Sequence, residues 1–285
     1  MNLLELRSKI KTIGSIYHIV HSMETLATMK IMHFRTLSQE RKIYAEKIRK
    51  MLLNLTEILP PEIPENTLLH GRGKINNVLI TVLTSDRGFC GSMNTDILDL
   101  SKDFLKQNPN ARVITIGSKA GNALMNEGYN VFAIINKKLE EVDLNFSKNL
   151  ASDIVKGYLN EEFDEVYFAF MDFENIVTQI PTILRIIPLE KRIEKPLSKF
   201  PYEHFIFSPE PKIIFKDLAR KYVDTFVYRI LLDTAASEQA MRMMSMRSAS
   251  DNAFRMQKNL KKKYQKLRQE KITRELIELS SRANL

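Results

Sequence analysis

Residues 1–59 contain no proline and one glycine, Gly14, and residues 212–285 contain neither. Proline breaks a helix's hydrogen-bond ladder and glycine weakens it, so each stretch can run as one long helix. Stepping alternately four and three residues from Leu3 lands on Leu6, Ile10, Ile13, Tyr17, Val20, Glu24, Ala27, Ile31, Phe34, Ser38, Arg41, Ala45, Ile48, Leu52, Leu55 and Leu59. Only Glu24, Ser38 and Arg41 interrupt the apolar run. A seam that repeats every ~3.5 residues over this length belongs to a helix packed lengthwise on another helix. Pro60, Pro61 and Pro64 end it.

The last stretch carries its own aligned apolar positions: Phe215, Ala219, Tyr222, Phe226 and Ile230, then Ala249, Ala253, Met256, Leu260, Tyr264 and Leu267. Ile272, Leu276, Leu279 and Ala283 follow in a shifted phase. One continuous helix here would be about 110 Å long, and the shift predicts that its partner changes along its length. Two terminal helices flanking a compact domain can bury their seams against each other as an antiparallel hairpin. Pairing that starts near Leu59 and Lys212 brings Met1 opposite about Glu270. Residues 271–285 then project by roughly 20 Å, leaving Leu276, Leu279, Ala283 and Leu285 without cover inside the chain. A second protein is the simplest cover for such a patch.

Between the helices, residues 71–211 change character. Val78–Leu83, Arg112–Ile116, residues 129–135 and residues 165–171 are short β-branched or aromatic runs, separated by helical patterns at residues 94–107, 119–127 and 147–159. Alternating strands and helices predict an open, mostly parallel sheet covered on both faces. Residues 182–188 and 204–207 are candidate edge strands, where proline is tolerated. The expected fold is therefore α/β: a long antiparallel coiled coil of the N- and C-terminal helices plus a small Rossmann-like open-sheet domain. The domains read as 1–59, 71–211 and 212–285.

The run 84–94, Thr-Ser-Asp-Arg-Gly-Phe-Cys-Gly-Ser-Met-Asn, follows the first strand and precedes a helix. Ligands often sit at that place in α/β folds, and Gly88 and Gly91 could let a phosphate approach the backbone. Their spacing fits neither of the familiar phosphate-binding loops, so a tight strand-to-helix turn is the plainer reading. The lone cysteine, Cys90, excludes an internal disulfide, and no His or Asp stands at relay spacing to it. His18 and His21 lack further ligands at metal-binding spacing. Glu140-Glu141 and Glu161-Glu162 look like solvated carboxylates rather than acid/base pairs. No catalytic residue, metal or cofactor is expected.

No apolar run is long enough to span a membrane, and the opening residues lack a signal core and read as mature sequence. The formal net charge is +9, which favours an acidic partner. That excess concentrates in residues 255–274, where nine Lys/Arg face one acidic residue, Glu270. Met241, Met243, Met244 and Met246 form an adaptable packing run. Three readings remain open on these residues alone: a mechanical shaft, a basic coiled coil that holds nucleic acid, and a nucleotide-using enzyme working at the 84–94 turn.

Three blocks then carry a resemblance over nearly the full length. They are residues 10–30, with Ser22-Met23-Glu24-Thr25-Leu26-Ala27 and Lys30; the turn 84–94; and Ser237-Glu238-Gln239-Ala240, Arg242-Met243, Asp251-Asn252, Arg268-Gln269, Ile272-Thr273 and Glu275-Leu276. The chain resembles the γ, or central rotor, subunit of F-type ATP synthases. The turn departs from the family's common form at Phe89 and Ser92, and the C-terminal end departs at Arg282.

The resemblance implies one copy per complex of a non-catalytic rotor without a cofactor. It would transmit torque between a membrane ring of c subunits and a hexamer of α and β subunits, with ε beside it. It implies no nucleic acid and only an indirect hold on the cytoplasmic face of a bacterial membrane. Arg268 and Gln269 match a contact to a catalytic-subunit loop; Met23, Lys30 and Arg242 match the lower shaft. Leu276, Leu279, Ala283 and Leu285 match a tip held in an apolar sleeve, and Asp86, Arg87, Gly88 and Gly91 mark the turn of the foot domain. A rotor of a specialised relative not used for ion-driven synthesis is the alternative that the resemblance admits.

Overall fold

The computed structural model describes residues 2–58, 68, 71, 75–189 and 208–283. Its elements run α1 (Leu3–Ile58), β1 (Val78–Leu83), α2 (Met93–Gln107), β2 (Arg112–Ile116), α3 (Ser118–Asn126), β3 (Val131–Ile135), a 3-10 turn (Leu139–Glu141), α4 (Leu144–Leu159), β4 (Glu165–Phe173), β5 (Gln179–Ile187) and α5 (Pro211–Ala283). The expected stops at Pro60, Pro61 and Pro64, the seam position Leu59 and the candidate strand 204–207 lie outside the described residues. Two compact units result. Residues 1–29 with 242–285 form a helical hairpin unit, and residues 30–241 form a sheet unit.

In the hairpin unit α1 begins with a reciprocal cap. The Asn2 Oδ1 accepts from the Glu5 backbone N–H at 2.8 Å, and the Glu5 carboxylate accepts from the Asn2 N–H at 3.1 Å. Two of the donors that a helix start leaves unpaired are thereby satisfied. Every seam position from Leu3 to Ala27 is buried or half-buried, while most of the other positions are exposed. Tyr17 packs on Phe254 with ring centroids 5.9 Å apart, and Gly14 meets Gln257. Residue numbers rise on one helix as they fall on the other, so the pair is antiparallel. Its register sets Gly14 opposite Gln257 and Tyr17 opposite Phe254, in step with a count that starts from Leu59 and Lys212.

One expected seam position is corrected. Met256 is exposed, and the inward place next to it belongs to Gln257. The cause is Gly14. A Cβ there would stand 2.6 Å from the Gln257 Nε2, so the missing side chain makes the room that the amide fills. The amide donates to the Ile10 carbonyl at 3.5 Å.

In the sheet unit the strand order is β3-β2-β1-β4-β5. β1 pairs in parallel with β2 and β4, and β2 with β3, whereas β5 runs antiparallel along the edge of β4. β1 is buried throughout, as its continuous apolar run requires of a strand covered on both faces. The edge strand β5 accommodates Pro181, which has no N–H to give to a ladder. The α1 seam continues here through Ile31, Phe34, Ser38, Ala45, Ile48, Leu52 and Leu55, all buried. Residues 231–240 of α5 are buried on every face, as expected for a helix segment enclosed by other elements.

Candidate functional site

The turn follows the carboxyl end of β1, which lies between β2 and β4 where the strand order reverses, the usual ligand position of an open parallel sheet. Its buried polar groups are spent on the fold. The Asp86 Oδ1 accepts from the Ser118 N–H at 2.7 Å, and the Thr84 hydroxyl oxygen accepts from the Ala120 N–H at 3.1 Å. Helix α3 thus receives a carboxylate of the chain itself at its positive end, where an anionic ligand would otherwise be favoured. Ser85, Cys90 and Asn94 close a second knot. The Ser85 N–H donates to the Asn94 Oδ1 at 2.9 Å, and the Asn94 Nδ2 lies 2.8 Å from the Ser85 Oγ and 3.4 Å from the buried Cys90 Sγ.

Ser85 Oγ also donates to the Arg87 carbonyl at 2.6 Å. Gly91 and Phe89 both take left-handed backbone angles, with φ 60° and 65°. The Arg87 side chain, Gly88 and the Phe89 ring are exposed. Thr84, Ser85, Asp86, Cys90 and Asn94 thus tie the end of β1 to α2 and α3, whereas of the sequence-derived turn residues Asp86 alone bonds through its side chain among the described residues.

The other sequence-derived residues fall on the two long helices. Met23 is half-buried in the hairpin unit, and Arg242 is buried there, 9% exposed. In the sheet unit Lys30 forms an ion pair with Glu140 of the 3-10 turn, and Glu141 pairs with Lys138. The expectation of solvated carboxylates is corrected for Glu140, which is half-buried against Lys30, whereas Glu141 is exposed. The two pairs are made across different spans of chain, 110 residues and three, and sequence spacing could signal only the second.

Arg268 and Gln269 are exposed, as are Lys258, Lys261, Lys262, Lys263, Lys266, Lys271 and Arg274. Among the described residues of this run, Lys266 meets Glu270 at 4.0 Å and Lys271 meets Glu275 at 3.6 Å. At the end of α5, Leu276 is 61% and Leu279 63% exposed, with Ile272 and Ile277 beside them also exposed. The Ala283 side chain and Leu285 lie outside the described residues.

A buried polar cluster was not anticipated. Asp233 of α5 is 4% exposed. It accepts from the Ser38 hydroxyl of α1, and its Oδ2 accepts from the Arg229 Nε at 3.3 Å. Burial pushes its carboxyl up to about 6, against the opposing pull of Ser38 and Arg229. Arg41 lies with its guanidinium carbon 5.2 Å from the Tyr228 ring centre. Two of the three residues that break the apolar seam of α1, Ser38 and Arg41, thus face polar or aromatic partners on α5. The signal was in the sequence: the register that sets Met1 opposite Glu270 sets Ser38 opposite Asp233.

Among the described residues no group of three or more His, Cys, Asp or Glu is placed to hold a metal. No helix among them is long and apolar enough to cross a membrane. An antiparallel pair of long helices, a small open sheet and an uncovered helix end define a mechanical, partner-gripping class of protein.

A family model described as ATP synthase matches residues 2–284. The ATP synthase gamma chain of Dictyoglomus turgidum is 37% identical over 281 residues, covering 97% of this chain and 94% of the relative. That of Fusobacterium nucleatum is 32% identical over 278 residues, covering 96% of each. The chain belongs to the family of ATP synthase γ chains. Its fold matches the rotor of the Euglena gracilis mitochondrial ATP synthase, with TM-score 0.61, 15% identity and coverage of 95% of this chain and 98% of the other. It also matches a chain of the Tetrahymena thermophila mitochondrial central stalk and c-ring, with TM-score 0.60, 21% identity and coverage of 81% and 99%.

Proposed function

We propose that the chain is the central-stalk γ subunit of a rotary F-type ATP synthase, carrying torque between a membrane ring of c subunits and a catalytic hexamer of α and β subunits. One observation carries this reading beyond family membership. The last turns of α5 keep Ile272, Leu276, Ile277 and Leu279 exposed, uncovered by any described residue. Apolar side chains on an unsupported helix need a socket in another protein, and a ring of subunits around an axle supplies one. The tip residues Leu276, Leu279, Ala283 and Leu285 would occupy that sleeve.

Arg268 and Gln269, exposed within the basic run, would meet a loop of a catalytic subunit. Met23, Lys30 and Arg242 would serve the lower shaft, with Lys30 sharing its charge between Glu140 and an acidic partner surface. Residues 71–211 would form the foot, beside an ε subunit and on the c-ring, and residues 1–59 and 212–285 the shaft. The turn with Asp86, Arg87, Gly88 and Gly91 would be structural. One copy per complex would work without a cofactor or a catalytic residue of its own, at the cytoplasmic face of a bacterial membrane.

The test is a pulldown with the full chain from native membranes. Co-recovery of ATPase α and β subunits, and of the c subunit when the detergent preserves the membrane sector, is expected. Recovery of the chain without α and β overturns the reading.

A further inference from the structure

The buried Asp233 stands where, among the described residues, a polar residue of the α1 seam meets a carboxylate of α5. Ser38 reaches it from α1 and Arg229 from one turn earlier on α5, while Asp172 of β4 adds a second negative charge nearby. Arg41, next along the α1 seam, lies against the Tyr228 ring instead. The neighbours on α5, Ile230, Leu232, Thr234, Ala236 and Ser237, are themselves buried. Water therefore cannot easily replace a lost partner. A carboxylate enclosed in this way costs stability when charged, because one hydroxyl and one side-on guanidinium do not replace its hydration. An apolar residue at position 233 would continue the seam without that cost.

We propose that Asp233 is a positioning residue of the rotor: seated between Ser38 and Arg229, its carboxyl keys α1 to α5 in the sheet unit, and its ionisation loosens that key. The consequence for torque rests on the rotor reading above, whereas the joint is a property of the chain alone. Neutral, the group receives the Ser38 hydroxyl bond with little desolvation cost and sits beside Asp172 without repulsion. Charged, it repels Asp172 and draws Arg229 inward. The stiffness with which α1 follows α5 then depends on pH.

The direction follows from the raised carboxyl, about 6 against an ordinary 3.8. The folded chain holds this proton more tightly than the unfolded chain. Its contribution to stability is complete below about pH 3.8 and is lost as pH rises through about 6.

Thermal melts of the isolated full chain between pH 5 and 8 test this, comparing wild type with Asp233→Asn and Ser38→Ala. Asp233→Asn keeps the shape and an acceptor for Ser38 but cannot ionise. It is expected to melt several degrees above wild type at pH 8, with the gap closing toward pH 5. Ser38→Ala removes a donor that favours the charged form and is expected to move the wild-type transition to higher pH. Hydrogen exchange of residues 31–45, corrected for intrinsic rates, is expected to quicken from pH 5 to 8 in wild type and not in Asp233→Asn.

A merely structural role would lower stability by the same amount at every pH. The proposal is overturned if Asp233→Asn melts with the pH slope of wild type, or fails to fold, since a neutral side chain is required to seat at least as well. Failure of the pulldown would leave these melts intact, so the two readings fall separately.

Discussion

Gly117 illustrates how a single missing atom decides a fold. It links β2 to α3 with φ +94°, and a Cβ at that position would stand 2.0 Å from the Thr84 carbonyl oxygen. Both the backbone angle and the space exclude a side chain. Gly117→Ala is expected to lose on the order of 3 kcal/mol, since strain and a backbone clash add, and urea unfolding of the full chain measures it. A loss under about 0.5 kcal/mol, the range of an ordinary surface change, would contradict the geometry.

Gly14 is the opposite case, because its missing side chain is filled by the flexible end of Gln257. That pair also marks a limit of sequence reading. A preference for apolar residues selects Met256, although the alternating four-and-three count through Ala253, Leu260, Tyr264 and Leu267 falls on Gln257. The Lys30–Glu140 pair was hidden for a related reason, since it joins residues 110 positions apart.

At the scale of elements the sequence was far more legible. The strands at Val78–Leu83 and Arg112–Ile116 fall where β-branched runs place them, because the inner strands of a parallel sheet read as nearly continuous apolar and β-branched runs. The α1 seam, read from spacing alone, is inward from Leu3 to Leu55. The antiparallel direction of β5 was not legible, because strand composition carries no sign of direction. The same helical periodicity bears on Arg268 and Gln269, which fall just after the half-buried Leu267 and are exposed.

Replacing both Arg268 and Gln269 with alanine should therefore leave folding within about 0.5 kcal/mol of wild type. Contact with a catalytic-subunit loop predicts instead that ATP hydrolysis in the reconstituted complex loses its coupling to torque. Wild-type turnover and coupling in the double variant would remove these residues from the contact, whereas a large drop in melting temperature would show that they act through the fold.

Across the whole molecule, protection from solvent is unevenly distributed, and the distribution matches what each part is proposed to do. The sheet unit holds a continuous core from β1 through residues 231–240 of α5. In the hairpin unit each helix buries one seam, and past Leu267 α5 buries none among its described side chains. An isolated helix shorter than about 12–15 residues is marginal in water. The segment beyond Glu270 is of that order, so in the free chain it is held by propagation from one end only.

Hydrogen exchange on the full chain should accordingly find β1 opening only with global unfolding, the paired part of the hairpin at intermediate cost, and residues 271–283 at almost none. The same residues should become protected in the assembled complex, if the apolar side chains at Ile272, Leu276, Ile277 and Leu279 are enclosed there. Strong protection of 271–283 in the free chain would mean that the end of α5 already has a cover. No protection in the complex would mean that the sleeve does not reach it. Leu276→Ser combined with Leu279→Ser separates these possibilities from a folding effect. It removes apolar area that is exposed in the free chain, so it should leave the melting temperature unchanged while weakening the protection gained on assembly.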